Sequence, residues 1–66
     1  MEIFVNGSEA SIPDACNLGE LLIYLNLSNI KLAVEVNGEI IPHSEHRNHL
    51  LKDADKLEIV RAVGGG

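Results

Sequence analysis

Two Asn-Gly pairs, Asn6-Gly7 and Asn37-Gly38, constrain this chain more than any other feature in it. An Asn-Gly pair between apolar runs is the strongest short signal for a two-residue hairpin turn, because both turn positions take positive φ. Before the first pair, Met1, Ile3 and Val5 alternate with Glu2 and Phe4, which is the period of a strand. After it, Ser8 to Ile12 should return antiparallel until Pro13-Asp14 ends the run. Before the second pair, Leu32, Val34 and Val36 alternate with Lys31, Ala33 and Glu35 in a strand predicted over 31–37. After it, Glu39-Ile40-Ile41 makes a short strand that Pro42 confines to an edge.

Between the hairpins lies one helical pattern. Leu18, Leu21, Leu22 and Leu25 fall at i, i+3, i+4 and i+7, one face of a helix. Asn17 is a natural N-cap, and Glu20 three residues later completes a capping-box pattern, although Gly19 weakens the first turn. Residues 43–51 are ambiguous: Ser44 can cap a single helical turn, with Leu50 and Leu51 tucking back to the core. Asp53-Ala54-Asp55 reads as a turn, and Lys56 to Val63 as the last strand. A hairpin, a helix laid across it and further strands predict an α+β domain with a mixed sheet of four to five strands and one main helix on one face. With the first and last strands paired in parallel at the centre, this is the ubiquitin-like β-grasp arrangement. The predicted organisation is one domain over 1–63 and a flexible glycine tail at 64–66.

At 66 residues the domain buries only about 60% of its unfolded surface, near the lower limit for a self-sufficient core. Its single cysteine, Cys16, allows no internal disulfide, which points to a reducing, cytoplasmic compartment. No signal-peptide pattern opens the sequence, and no stretch approaches the roughly 20 apolar residues of a membrane span. The net charge of −5 argues against nucleic acid and anionic membranes, and suits a partner with a basic docking surface.

The residues for independent catalysis are not assembled locally. Nothing near Cys16 in sequence marks it as activated, and it reads as a small buried hydrophobe. An iron–sulfur cluster needs four ligands, usually cysteines. No Gly-rich loop stands between a strand and a helix to cradle phosphate, and a domain of this size is not expected to enclose a pocket of several hundred cubic ångströms. His43, His46 and His49 recur at every third residue, but the spacing is loose and no cysteine ligand is near, so they read as a polar surface turn and not a metal site. The chain is expected to be no enzyme and to bind no cofactor itself.

The unusual feature is the run Gly64-Gly65-Gly66 after the last strand. A frayed end is the ordinary explanation. A strip without Cβ atoms can nevertheless lie extended in a narrow channel and present a carboxylate open on both faces. That suits acyl activation: attack on the α-phosphate of ATP makes an acyl-adenylate, to which a sulfur nucleophile can add.

The stretch Lys56-Leu57-Glu58-Ile59-Val60-Arg61-Ala62-Val63-Gly64-Gly65-Gly66 resembles the C-terminal signature of the ThiS family, the sulfur carriers of thiamin biosynthesis. The segment Val34-Glu35-Val36-Asn37-Gly38-Glu39-Ile40-Ile41-Pro42 resembles that family's central hairpin, and the similarity covers essentially the whole chain. The turn at Asp53-Ala54-Asp55 departs from the family in carrying alanine where glycine is usual. The resemblance implies a β-grasp fold, adenylation of Gly66 by a ThiF-type enzyme using ATP, conversion to a thiocarboxylate, and sulfur donation to thiazole synthase. Gly64 and Gly65 would be the flexible reach. Alternatives are a carrier for molybdopterin synthesis, a ubiquitin-like protein modifier, or an interaction module with an inert tail.

Strand alternation also predicts a docking surface. With Met1, Ile3, Val5, Leu57 and Ile59 facing the helix, Glu2, Phe4, Glu58 and Val60 face outward. If the two strands are neighbours, Phe4 and Val60 form an apolar spot rimmed by Glu2 and Glu58 that can dock both the activating enzyme and the acceptor. The competing expectation is that residues 43–51 cover Phe4.

Overall fold

The computed structural model describes residues 1–28 and 30–61. Strands β1 (Glu2–Val5) and β2 (Ser8–Ser11) form the first hairpin, and α1 (Leu18–Tyr24) follows. Strands β3 (Leu32–Val36) and β4 (Glu39–Ile40) form the second hairpin, a 3-10 helix spans His43–Asn48, and β5 runs from Lys56 to Arg61. The five strands make one sheet in the order β2-β1-β5-β3-β4. β1 and β5 are parallel, and every other neighbouring pair is antiparallel. The last strand in sequence thus lies at the centre.

Both hairpins turn as their Asn-Gly pairs dictate. Asn6 and Gly7 have φ of 50° and 84°, and Asn37 and Gly38 have 52° and 86°. Positive φ at both central positions is the turn whose twist matches that of the flanking strands.

The predicted capping box is present. Asn17 Oδ1 accepts from the Glu20 N–H at 2.8 Å, and Glu20 Oε1 accepts from the Asn17 N–H at 2.9 Å. The helix is shorter than its leucine pattern, because Leu25 is the C-cap and lies outside it. Leu18, Leu21 and Leu22 are buried and join Ile3, Val34, Val36, Leu57 and Ile59 in one core. Helix leucines and sheet aliphatics therefore share a single interior, with the helix on one face of the sheet. Gly19 has a packing reason that its low helix propensity conceals. A Cβ there would lie 3.3 Å from Arg47 Cγ and from the capping oxygen of Asn17, so its bareness lets the 3-10 segment approach the helix.

The segment 43–51 differs from expectation. It begins a 3-10 helix at His43, with Pro42 as N-cap and no side-chain cap, so Ser44 does not start it. It is tied to the entrance of α1 by Leu18 N–H donating to His49 O (2.9 Å) and Leu51 N–H donating to Cys16 O (3.0 Å). Leu51 is buried as expected, whereas Leu50 is exposed.

The turn 53–55 closes the head of β1. Asp53 Oδ1 accepts from the Glu2 N–H at 2.9 Å, and Ala54 N–H donates to Glu2 O at 2.7 Å. The buried Asp55 carboxylate accepts from Asn37 Nδ2 (3.0 Å) and from the Lys52 N–H (2.8 Å). A buried carboxylate needs such donors, since losing one leaves an unsatisfied acceptor in the interior.

Candidate functional site: the open sheet face and the root of the glycine tail

Gly64, Gly65 and Gly66 lie outside the described residues, and so does the predicted continuation of the last strand through Val63. The root of that tail, β5, is held on both flanks. Val34, Glu35 and Val36 on β3 pair with Ile59, Glu58 and Leu57, and Leu32 and Ala33 pair with Arg61 and Val60. On the other flank, Phe4 and Val5 of β1 pair with Lys56 and Leu57.

These registers set the face turned away from α1. Its residues are Glu9 and Ser11 on β2, Glu2 and Phe4 on β1, Lys56, Glu58 and Val60 on β5, Ala33 and Glu35 on β3, and Ile40 on β4. The predicted docking residues Glu2, Phe4, Glu58 and Val60 do share this face. They do not form the single spot that was expected. Phe4 stands beside Lys56 and Glu9, while Val60 stands two outward positions further along β5, beside Ala33. Two pleats of a strand separate them by about 13 Å. The alternation of a sequence fixes which face a residue takes, but not the stagger of two parallel strands.

Phe4 is half-buried, whereas Val60 and Ile40 are 59% and 69% exposed. The exposed apolar part of the face therefore lies on the β5–β3–β4 side, with Val60 near the end of β5 and Ile40 level with Glu58 at its middle. Ile40 was missed as a surface residue. Alternation alone could have found it, because Ile41 is buried and its neighbour must face outward. Glu2, Glu9, Glu35 and Glu58 make the face acidic. Residues 43–51 do not cover Phe4, because they pack against α1 on the opposite side of the sheet.

The histidines have a structural explanation. His46 is buried, and its Nε2–H donates to Ile41 O at 3.1 Å. The His43 ring meets it edge to face at 5.2 Å. Among the described residues, no group of three or more His, Cys, Asp or Glu side chains is disposed to hold a metal ion. Cys16 is buried, and burial followed by the nearby Glu20 charge pushes its thiol pKa up, the opposite of an activated nucleophile. An open groove of about 590 Å³ runs between α1 and the 3-10 helix, lined by Gly19, Leu22, Ile23, Ser44 and Arg47 among others. It is an open surface groove and not an enclosed cavity, so it does not conflict with the expectation that a domain of this size encloses no pocket of several hundred cubic ångströms. No helix among the described residues is long and apolar enough to cross a membrane.

A five-stranded mixed sheet with parallel β1 and β5 at its centre and one helix on one face defines the ubiquitin-like β-grasp class. A crystal structure of the thiamine biosynthesis protein ThiS from Geobacter metallireducens superposes on it with a TM-score of 0.87 and 30% identity, covering all of both chains. The ThiS family model matches residues 1–66, and the chain belongs to that family. Among curated relatives, a thiazole synthase of Paramagnetospirillum magneticum is 39% identical over 66 residues. The match covers all of this chain but only 20% of that protein's length. The ycf40 protein of Porphyra purpurea is 32% identical over the whole chain and 93% of its own length.

Proposed function

We propose that this protein is a sulfur carrier of thiamin biosynthesis, with Gly66 as the acyl group that is activated and loaded. The observation that carries this reading is ThiS family membership over residues 1–66, in a chain whose central strand runs on in sequence to Gly64-Gly65-Gly66. The protein acts as a cosubstrate and supplies no catalytic group. It binds no cofactor of its own, and ATP is used by the activating partner.

In the first step a Gly66 carboxylate oxygen attacks the α-phosphorus of ATP on a ThiF-type enzyme, and pyrophosphate leaves. In the second, a hydrosulfide-equivalent nucleophile adds at the acyl carbon and AMP departs, leaving a thiocarboxylate. A side chain at residues 64–66 would crowd the approach to that carbon. The thiocarboxylate then gives its sulfur to thiazole synthase in the cytoplasm. Similarity to a fifth of a thiazole synthase supports that acceptor, because carrier-like and synthase sequence occur there in one chain.

Both partners dock on the open sheet face. Val60 and Ala33 supply the apolar contact near the end of β5, with Ile40 and Phe4 further along the face, and Glu2 and Glu58 are among the acids that meet a basic surface.

The test is incubation with ATP and a ThiF-type enzyme, followed by mass spectrometry of the intact chain. AMP on Gly66, replaced by an oxygen-to-sulfur exchange once a sulfur donor is added, is the expected result. Attachment to larger proteins would instead identify a modifier. No adduct with an enzyme competent on its own carrier removes the reading, and deletion of Gly65 and Gly66 should abolish the reaction without unfolding the domain.

A further inference from the structure

Asn6 does more than turn the first hairpin. In the β1–β5 ladder, alternate β5 residues direct their backbone groups toward β1. Asp55 and Leu57 are met by main chain: Phe4 N–H donates to Asp55 O at 2.9 Å, and Asn6 N–H donates to Leu57 O at 2.8 Å. The next such residue is Ile59, but there β1 has already turned away at Asn6-Gly7. The Asn6 side chain takes over. Its Oδ1 accepts from the Ile59 N–H at 2.7 Å, and its Nδ2 donates to Ile59 O at 3.0 Å. One carboxamide thus supplies both halves of a rung that no strand residue remains to make. Asn37 does a related task at the other end of β5, where its Oδ1 accepts from the Lys56 N–H at 3.0 Å.

We propose that Asn6 is a positioning residue for the glycine tail, by holding the β1 flank of β5 at Ile59 so that the strand leaves the sheet in one direction. This rests on the sulfur-carrier reading. Beyond Leu57, β1 itself offers β5 no further main-chain bond, and the other flank is paired with β3 as far as Arg61. Without the Asn6 carboxamide, the last turnings of β5 are fixed on one edge only and can pivot about β3. A carboxylate that must meet the α-phosphorus of ATP inside another protein is sensitive to such a pivot, since misplacement by about 1 Å can cost two orders of magnitude in rate.

Asn6→Gly removes the carboxamide while keeping a residue that accepts positive φ, and Asn37→Gly does the same at the second hairpin. Both variants and the wild type are compared in ATP-dependent adenylation by a ThiF-type enzyme, at a temperature where circular dichroism shows each folded. Asn6→Gly is expected to lower kcat about tenfold with an unchanged Kd for the enzyme, while Asn37→Gly keeps kcat. Amide exchange at Ile59 is expected to speed up in Asn6→Gly. If Asn6→Gly does not fold, Asn6→Asp, isosteric but unable to donate to Ile59 O, is judged by the same criteria. Wild-type kcat in the Asn6 variant, or an equal loss in Asn37→Gly, overturns the proposal and leaves the carrier reading intact. A wild type that accepts no AMP overturns the carrier reading itself.

Discussion

Ala54 is held at φ 71°, in the left-handed region, at the middle of the turn that closes β1. An L-residue with a Cβ loses roughly 1–2 kcal/mol there, and the turn tolerates it because Asp53 and Asp55 on either side are tied down by hydrogen bonds to Glu2, Lys52 and Asn37. Glycine relieves that strain but gains freedom in the unfolded chain, which offsets part of the benefit. Ala54→Gly is therefore expected to raise stability by about 0.5–1 kcal/mol. Urea unfolding should show a higher midpoint with an unchanged slope; a lower midpoint would mean that the alanine methyl makes a contact worth more than the strain.

The elements were legible where a local rule decides them. Two Asn-Gly pairs placed both hairpins, and Asn17 with Glu20 placed the start of α1. That helix has only 7 residues, too few to stand without tertiary support, so its cap matters. Asn17→Ala is expected to cost about 1 kcal/mol, within the usual range of 0.5–2, and Glu20→Ala less, as read by thermal or urea unfolding. Three features were not legible, because each depends on packing that residue spacing does not encode. His46 is buried because Ile41 O needs a donor, which no spacing of histidines reveals. Asn6 and Asn37 looked like turn formers alone, yet their carboxamides grip β5 from opposite ends. Phe4 and Val60 were given the correct face but the wrong neighbours, because the stagger between β1 and β5 is set by everything between them. Residues 62–66 lie outside the described structure, and the reading of Gly66 rests on the family match.

The whole molecule, at a net charge of −5, turns Glu2, Glu9, Glu35 and Glu58 toward the open sheet face proposed to receive partners. Attraction across such an interface acts mainly on the encounter rate and fades with ionic strength. Association with the ThiF-type enzyme should therefore slow as salt rises. Glu58→Lys should lower the on-rate by about tenfold at low salt and by less at high salt, as measured by stopped flow. A salt-independent on-rate would place the contact elsewhere. The position of β5 carries a further consequence, for biosynthesis. Phe4 and Lys56 pair across nearly the full length of the domain, so the sheet has a gap in its middle until the final strand is supplied. A nascent chain interrupted before Lys56 owns two hairpins that no strand pairs together. The sheet therefore closes only once β5 has been made, so completion of this fold waits for its fifth strand and does not grow outward from the first hairpin.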